Sequence, residues 1–494
     1  MRFKILLSVA VIVTATGQLH AQYAGDALRF SQTTYGSTAR FKALAGTQIG
    51  VGGDLSSLGA NPAGIGLFTR TEMSITPGLS SSNADALYLN SNSVSSKDNL
   101  NLAHAGIVWH RPAYKKPGSD LNSGFLSSNF GIGYNRTNNF TNSFFFNGIN
   151  PSSSIADSFA ELANKFGDPN TLAEGSLESM AYEDYLIDYE NNDYIPVTRF
   201  NNDQSRSENR KGSQSEVNLV FGVNQSNKFY FGASLNFTSL NYSSGVEYNE
   251  EGIADIQFNN TFSAYDYNLV YSQDQTTKGS GINGKLGMIF RPVEVVRLGI
   301  SFETATYYSI TDTYSEVLNT NYSPNLPTPP IGNTLSTYDF TYKLRTPSKL
   351  SGGASFFLGD QGFIAADIDY VDYSKINFSA TNNADANTIV SNNKDVINRY
   401  KSAVNYRLGA EYKLDRLMLR AGYAMQGNPY KNAEYSMSTY SGGIGYRMDK
   451  MYFDLGYQNI SYDMELNPYP NGSGPVAAIE NTRSNVFLTI GTRF

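Results

Sequence analysis

The segment VFLTIGTRF closes the sequence at residues 486–494 and is the most informative stretch for the fold. Every second residue from Val486 to Phe494 falls on one face, and the opposite face carries Gly491 and Arg493. A period of two is the pattern of a β-strand. The same alternation recurs upstream at 229–237, 296–302, 404–414 and 417–425. The sequence therefore predicts an all-β protein.

The composition then separates two kinds of all-β protein. Glycine and tyrosine are abundant, with 44 and 35 residues, while only 16% of the residues are charged. This profile is typical of an outer-membrane β-barrel, whereas the alternative is a large secreted β-sandwich or propeller. The terminal Phe494 favours the barrel, because a final aromatic strand resembles the signal that the bacterial barrel assembly machinery recognises. We therefore expect an antiparallel transmembrane barrel in the outer membrane of a Gram-negative bacterium, surrounded by its lipid.

Other compositional features exclude several classes of protein. The sequence has no cysteine, which excludes disulfides, thiolate metal sites and a lipoprotein anchor. No apolar run after the N-terminus is long enough for a transmembrane helix. The net charge of -7 argues against nucleic-acid binding.

Residues 1–21 are predicted to form a secretory signal peptide. Arg2 and Lys4 supply its charged region, 5–15 its apolar region, and Leu19-His20-Ala21 its cleavage site, so the exported chain would begin at Gln22. The apolar run is too short for a membrane anchor.

Counting back from Phe494 predicts about fourteen strands, with the barrel over 70–494. The count takes short turns as periplasmic and long loops as extracellular. The turns are placed at Gln225-Ser226-Asn227, Arg291-Pro292, Gly359-Asp360, Asp415-Arg416 and Asp449-Lys450. Residues 256–273 are assigned to an extracellular extension, and a further strand pair there would raise the number to sixteen.

The segment between the signal peptide and the first strand is predicted to be a plug. Residues 43–68 read ALAGTQIGVGGDLSSLGANPAGIGLF, with too many glycines for a stable helix and too little alternation for a strand. The same stretch is too apolar for a free linker. We therefore assign 22–69 to an N-terminal hatch enclosed by the barrel. The glycines and charges on the lumenal faces of the strands are what packing against such a plug would require.

The longest insertion, at about 148–213, is assigned to the extracellular side. Ile155, Phe159, Leu162 and Phe166 have the spacing of an amphipathic helix that Ser153 or Ser154 caps. A second helix is expected around 177–189. Such a loop either shields the surface or catches a ligand. The asparagine-rich segments 382–398 and 467–481 are interpreted as solvated loop tips.

The N-terminal motif resembles a known family. Asn61-Pro62-Ala63-Gly64 follows a glycine-rich stretch and precedes the first strand, which is similar to the hatch of the FadL family of outer-membrane transporters. Looser similarity extends along the barrel, at 346–350, 367–374 and 406–423. The resemblance implies a fourteen-stranded barrel with a hatch, diffusion of fatty acids or aromatic hydrocarbons, and sideways exit through a kink in the third strand.

The resemblance also suggests which residues carry the function. Asn61, Pro62, Ala63 and Gly64 are predicted to form the gate of the hatch, although they would equally make a simple turn into the first strand. Gly131 and Gly133 are predicted to mark the third-strand kink, since glycine inside a strand often marks a bend. The alternative is that both glycines allow close packing against the hatch.

No arrangement of residues typical of an enzyme occurs. His104 and His110 lie too far apart along one strand to share a metal ion, and no Gly-x-Ser-x-Gly motif is present. We therefore expect no catalytic residues, no metal and no cofactor. Arg297, Arg407 and Arg420 face the lumen by parity, where acids such as Asp367, Asp369, Glu411 and Asp454 are expected to pair with them.

Passive uptake of hydrophobic small molecules through a hatch-plugged barrel is the leading functional hypothesis. The alternative is a structural or docking barrel subunit of a secretion or surface assembly, with a secretion-system protein as its partner.

Overall fold

The computed structural model describes residues 16–494 apart from 36, 117, 119, 331, 334, 383 and 384. The predicted signal peptide therefore lies largely outside the described residues. The chain forms a closed antiparallel barrel of fourteen strands around an N-terminal segment. Pairing of the first strand with the last, from Glu72↔Arg493 to Leu87↔Ala478, closes the barrel. The predicted fold class is confirmed.

Each strand pairs with its neighbours in chain order. The strands are β1 Glu72–Tyr88, β2 Ser91–Pro112, β3 Phe125–Asn139 with Asn142–Asn150, β4 Asn202–Gln225, β5 Phe229–Phe258, β6 Thr261–Val293, β7 Val296–Glu303 with Tyr307–Ser323, β8 Ser336–Arg345 with Lys349–Phe357, β9 Gly362–Asp372 with Asn377–Ala380, β10 Ser402–Leu414, β11 Leu417–Gln426, β12 Met437–Arg447, β13 Met451–Leu466 and β14 Ala477–Arg493.

Residues 256–273 form the tip of the long β5–β6 hairpin and add no strand. Asn259 and Asn260, with φ values of 50° and 60°, make the turn between these strands. Two successive positive φ values are the requirement of a type I′ hairpin turn, and asparagine tolerates them. The barrel therefore has fourteen strands rather than sixteen.

One predicted turn is displaced, and the first two strands continue through a polar stretch of sequence. Arg291 and Pro292 lie within β6, and the turn to β7 is at 294–295. The polar stretch 81–100 completes β1 and β2, which pair as far as Tyr88↔Ser91. Ladder hydrogen bonds at these positions do not require apolar side chains, so the hydrophobic pattern misses them.

The outer face of the barrel carries the apolar side chains expected of a lipid-facing surface. On β5, for example, the outward residues Phe229, Phe231, Leu235 and Phe237 are 38–47% exposed. In the described part of the chain, no helix is long and apolar enough to cross a membrane.

The N-terminal segment lies inside the barrel. Helix α1, Thr16–Ser31, leads to the single turn α2, Ala39–Lys42, and then to two 3-10 helices at Leu55–Leu58 and Pro62–Leu67. Leu44, Ile49, Leu55, Leu58 and Ile65 are at most 1% exposed. The apolar residues that argued against a free linker are thus enclosed by the wall.

A cap covers the end of the barrel that carries the long connections, which we call the loop end. It comprises residues 151–201. The insertion is shorter than the predicted 148–213, because 148–150 belong to β3 and 202–213 belong to β4. Helices α3, Ile155–Ala163, and α4, Leu177–Glu183, lie here, and Ser154 caps α3. The buried carboxylate of Glu250 accepts hydrogen bonds from Ile155 N (3.0 Å) and Tyr267 Oη (2.7 Å). This contact joins the cap to the long β5–β6 hairpin.

Neither asparagine-rich segment is simply a solvated tip, contrary to our interpretation. Residues 386–399 form helix α5, whose Ile389 and Val396 are buried while Val390 and Ile397 are exposed. In the other segment, Tyr469 is 3% exposed, and its hydroxyl accepts hydrogen bonds from Asn150 and Gln204. Tertiary burial of a few apolar side chains outweighed the polar composition of both segments.

Candidate functional site

Glycines on the barrel wall make room for the hatch. A Cβ at Gly299 would lie 2.0 Å from Ile49 O, and one at Gly232 would lie 2.2 Å from the carbonyl carbon of Pro62. Comparable contacts with hatch atoms occur at Gly222, Gly353, Gly422, Gly443 and Gly456. We call this set the glycine ring. It explains why the lumenal faces of the strands alternate glycine with charged residues.

Charged side chains of the wall fix the hatch from several sides. Arg40 donates to both carboxylate oxygens of Glu411, at 2.7 and 2.8 Å, and Glu411 also accepts from Arg420. Arg420 in turn reaches Asp454 at 2.7 Å. Bidentate, charge-assisted hydrogen bonds are among the strongest polar contacts in proteins. Arg40 is therefore a firm attachment point between the hatch and β10.

Main-chain groups of the hatch are bonded to wall side chains as well. Asp367 accepts from the amides of Gln48 (2.6 Å) and Ile49 (3.0 Å). Lys285 donates to Gly59 O at 2.7 Å, and Arg297 donates to Val51 O at 2.6 Å. The irregular backbone of the plug is thus satisfied inside the barrel, as buried polar groups require.

The predicted lumenal arginines divide into two kinds. Arg407 pairs with Asp369 (Nη2 to Oδ1, 2.8 Å) and Arg420 pairs with Glu411 and Asp454, so the expected pairing with acids is confirmed for both. Arg297 instead binds a hatch carbonyl and lies over the ring of Phe357, 4.2 Å from its centroid.

The predicted gate residues form the second 3-10 helix of the hatch. Asn61 caps it, accepting from Ala63 N at 3.1 Å, while its Nδ2 donates to Ile49 O at 2.8 Å. Pro62 occupies the first position, where its missing N–H removes no hydrogen bond. Gly64 packs against Gly52 and Ser57. Asn61 therefore ties two turns of the hatch together at the wall of β5 and β6.

Gly131 and Gly133 lie in an uninterrupted part of β3. Both pair in regular register with β2 and with β4. A Cβ at either position would lie within 2.8 Å of Leu58, a residue of the hatch. The two glycines provide space for Leu58, and the irregularity of β3 lies elsewhere.

The third strand is irregular from Arg136 to Thr141. Thr137 is an extra residue in the β3–β4 ladder, Asn138 and Asn139 still pair with β4, and only 140–141 separate the two segments of the strand. Pairing of β2 with β3 ends at His104↔Asn135. Among the described residues, no ladder joins 91–103 of β2 to the remainder of β3. We call this gap the wall break. The register irregularity of β3 thus lies at 136–141 and not at Gly131 and Gly133.

Two neighbouring strands are irregular at the same height as the wall break. Ala103 is a bulge residue in β2, since Thr76 pairs with His104 and Pro77 with Leu102. Pro77 has no N–H to donate, and the β1–β14 register skips from Ile75 to Gly78. Strand pairing is therefore irregular in β1, β2 and β3 at the same height of the wall. The positions of the β3 glycines alone do not indicate this.

Arginines donate hydrogen bonds to main-chain carbonyls around the wall break. Arg483, on β14, donates to Asn139 O (2.8 Å) and Thr141 O (3.1 Å). Arg136 donates to Leu102 O at 3.4 Å. Neither arginine stands in a sequence pattern that indicates this role, because only the folded wall brings both residues to the broken strand.

The N-terminal segment also contacts the wall break. Thr34 N donates to Thr137 O at 2.9 Å, and Asn138 Nδ2 donates to Gln32 O at 3.0 Å. The rings of Phe30 and Phe140 lie 5.8 Å apart in an edge-on contact. The segment Tyr23–Tyr35 therefore lies directly behind the break. Its apolar residues fill the lumen there, packed among the buried aromatics Tyr242, Tyr308, Tyr342 and Phe378.

A lumenal cavity of about 210 Å³ adjoins both the hatch and the wall break. Tyr35 and Lys42 line it on one side, and Ala103, Arg136 and Asn138 line it at the break. Lys42 Nζ donates to Tyr35 O at 3.1 Å, and burial lowers the pKa of Lys42 to about 8. In the described structure no carboxylate pairs with Lys42. The cavity thus combines apolar surface with several charged side chains, namely Lys42, Arg136, Asp369, Arg407 and Arg483.

A line of buried amides begins where the β2–β3 pairing ends. His104 Nδ1 lies 2.8 Å from Asn135 Oδ1. Each amide then donates to the amide on the next strand, from Asn135 to Asn218 (2.6 Å), to Asn236 (2.8 Å) and to Asn283 (2.7 Å). Asn283 finally donates to Glu216, which pairs with Lys285 at 3.1 Å. This line stiffens the wall from β2 to β6 beside the break.

The histidines are structural contacts of β3. His104 is fully buried, and His110 Nδ1 lies 2.8 Å from Asn129 Oδ1. His110 therefore faces inward, while its neighbour Trp109 stacks on Phe130 with ring centroids 5.8 Å apart. Within the described part of the chain, no cluster of three or more acidic or histidine side chains is suited to a metal ion.

Comparisons with known proteins agree with this architecture. The crystal structure of a Pseudomonas aeruginosa FadL homologue has 13% identity and a TM-score of 0.55, covering 94% of this chain and 99% of that one. The P. putida toluene transporter TodX has 12% identity and a TM-score of 0.53, covering 93% and 99%. At such identities these similarities establish the fold alone. No curated protein sequence matches the chain.

A family model gives the assignment. The model described as outer membrane protein transport protein (OMPP1/FadL/TodX) matches residues 204–467, more than half of the chain. The family and the barrel place the protein in the outer membrane of a Gram-negative bacterium. This chain belongs to the OMPP1/FadL/TodX family of outer-membrane transport proteins, which carry hydrophobic compounds.

Proposed function

We propose that this protein takes up fatty acids or aromatic hydrocarbons by diffusion, and that they leave sideways through the wall break. The observation that carries the proposal is the loss of pairing between β2 and β3 beside the lumenal cavity. An apolar solute gains nothing from a water-filled pore, whereas a path through the wall delivers it to hydrocarbon. Two structural relatives, a FadL homologue and a toluene transporter, support this choice of ligand.

In the proposed route the hatch is a fixed barrier and the segment Tyr23–Tyr35 moves. The hatch is held by Arg40, by the glycine ring and by bonds to its main chain. Asn61, Pro62, Ala63 and Gly64 keep the barrier closed in this scheme. The segment 23–35 instead occupies the aromatic part of the lumen that a ligand would enter. A ligand arriving from the loop end, which we take as extracellular, displaces this segment and reaches the cavity.

Lys42 gives the cavity a preference among apolar ligands. A buried amine with a pKa of about 8 is mostly protonated at neutral pH, and a carboxylate beside it would favour the protonated form further. We infer that the cavity receives the polar end of a fatty acid. An aromatic hydrocarbon would pass with weaker retention.

A disulfide across the wall break tests the route. The chain contains no cysteine, so an introduced pair has no competing partner. Ser93 Oγ and Asn147 Oδ1 lie 3.0 Å apart on opposite sides of the gap. In proteoliposomes, oxidised S93C/N147C is expected to slow palmitate and toluene uptake several-fold, and dithiothreitol is expected to restore it.

The matched control joins two strands that are already paired. Thr313 Oγ1 and Asp339 Oδ1 are 2.7 Å apart between β7 and β8, which form a regular ladder. Oxidation of T313C/D339C should leave uptake unchanged. Equal uptake by the oxidised and reduced S93C/N147C protein would exclude the wall break as the exit.

A docking barrel is the second candidate function, and the densely filled lumen at the height of the hatch favours it. Ion pairs such as Arg420–Asp454 occupy that level. A secretion-system partner that co-purifies stably, together with no saturable ligand binding, would support docking. We also infer that Phe494, which is 69% exposed, is read by the barrel assembly machinery. Replacing Phe494 with alanine should then lower the amount of folded barrel in outer-membrane fractions.

A further inference from the structure

A second apolar concavity lies on the membrane-facing side of the wall. It has a volume of about 750 Å³ and is lined by side chains of β13, β14 and β1 to β4. We call it the outer groove, and its walls include Ile75, Ala105, Ile107, Ile132, Tyr134 and Ile490. Its volume falls within the ~300–1,000 Å³ typical of small-molecule sites.

The concavity arises from one small side chain in a row of large ones. The strand registers place Ile490, Ile75, Ala105, Tyr134 and Val217 side by side across five strands. Ala105 is the single small member of this row. On the lumenal side of the same stretch, Gly106 and Gly133 leave space for Leu58 of the hatch. The groove is therefore built into the contact between wall and hatch.

The outer groove begins where the wall break ends. Ala105 lies two residues beyond the bulge at Ala103, and Tyr134 lies two residues before Arg136. Ala103 and Arg136 line the lumenal cavity on the other side of the wall. A chain leaving the cavity through the break thus meets the groove as its first surface outside the barrel.

We propose that the outer groove binds the hydrocarbon part of the transported compound after it passes the wall break. The inference rests on the proposed lateral route and adds a second site to it. The side chains named above are hydrocarbon except for the Tyr134 hydroxyl, so the site takes an alkyl chain or aromatic ring. Arg136 marks the end at which a polar head would remain. Binding here holds the compound at the protein surface before it mixes with membrane lipid.

Filling the groove tests this proposal. Ala105→Phe places a ring in the dip, and Ala105→Leu is a milder variant should the first fail to fold. Ala366→Phe is the matched control, because Ala366 also faces outward but lies on β9, across the barrel. Proteoliposomes containing each variant receive a diazirine-labelled palmitate or a phospholipid with a diazirine in its acyl chain. Uptake and the photolabelled peptides are then measured.

The expected result is labelling of peptides from β2, β3 and β14 by the palmitate probe. Unlabelled palmitate should reduce this labelling several-fold, and Ala105→Phe should abolish it and slow uptake several-fold. Ala366→Phe should change neither measurement.

Four results would overturn the proposal. Unchanged uptake and labelling in both Ala105 variants would mean that the groove is not on the path, while the lateral route itself would stand. Equal labelling by the phospholipid probe with and without competing palmitate would show that ordinary lipid fills it, and a cross-linked dimer would show that a second copy covers it. Wild-type protein without saturable uptake would remove the proposed function and this site together.

Discussion

Single residues decide how closely the wall approaches the hatch. Gly299 is an example. Its missing side chain leaves space for the main-chain carbonyl of Ile49 in the hatch, and not for a side chain that could turn away. A backbone atom held by its own neighbours cannot move aside at low cost. The glycine ring therefore specifies where the hatch sits.

Replacing Gly299 with alanine should prevent the hatch from seating properly. Its Cβ would lie 2.0 Å from Ile49 O, and overpacking of this kind typically costs about 1–3 kcal/mol. We expect a lower unfolding temperature and greater ion leakage in planar bilayers. Gly284→Ala is the control, because the nearest atom to its Cβ would be 3.4 Å away. Equal leakage of the two variants would contradict the role of the ring.

Asp184 in the cap makes the packing of α4 sensitive to pH. The residue is 1% exposed, and burial raises its pKa from 3.8 to about 7. The neutral form is favoured when the cap is docked, so the docked state loses stability as the pH rises from about 4 to about 7 and changes little above that.

Limited proteolysis of residues 151–201 should therefore be slower at pH 5 than at pH 8. Asp184→Asn keeps a neutral side chain at every pH, so this variant should lose the part of the pH dependence that Asp184 contributes. Glu161→Gln provides a control, since Glu161 is an exposed acid of the same cap. Identical pH profiles for wild type and Asp184→Asn would refute the assignment.

At the scale of elements, the broken third strand is the main departure from a regular barrel. The break persists because other elements satisfy its main chain: Arg483 from β14 and Thr34 from the N-terminal segment. An unpaired carbonyl inside a wall would otherwise be costly. The break is therefore a supported feature of the fold.

Removing the Arg483 side chain should loosen the break. Arg483→Met leaves Asn139 O and Thr141 O without that donor, at a cost of about 1–3 kcal/mol for each unsatisfied group. Hydrogen exchange of peptides spanning 137–150 should accelerate, while β10 and β11 remain protected. Arg199→Met is the control, because Arg199 of the cap forms an exposed ion pair with Asp255 of β5. Unchanged exchange at 137–150 would show that Arg483 does not hold the break.

The sequence was informative about elements whose signal is local. Alternating residues located most of the strands, and Ser154 with the spacing from Ile155 located α3. Helix α5 escaped because its asparagines obscure a narrow apolar face formed by Ile389 and Val396. The position of the break escaped for another reason: its determinants include Arg483 and Gln32, which are distant in sequence and meet only in the closed barrel.

At the scale of the whole molecule, the wall and the hatch are held by separate interactions. Ladder pairing between neighbouring strands closes the barrel, including β1 with β14. The hatch is attached instead by side chains such as Arg40 and Lys285 and by close packing. The hatch can therefore be altered without removing the ladder hydrogen bonds of the wall.

Deleting 39–68 should leave a folded barrel with a conducting pore. The lumenal charges lose their hatch partners but become hydrated, so the wall should retain its strand content by circular dichroism. Single-channel conductance should rise well above that of the intact protein. A barrel that fails to fold, or one that folds and stays closed to ions, would show that the hatch is not an independent plug.

The glycine ring has a consequence for biogenesis. The hatch precedes every strand in the chain, yet the glycines that receive it are spread over strands from β2 to β13. A growing sheet that curls around the hatch gains contacts with each strand it adds, up to the final joining of β14 to β1. The hatch can in this way serve as a template that sets the curvature of the sheet and the strand at which the barrel closes.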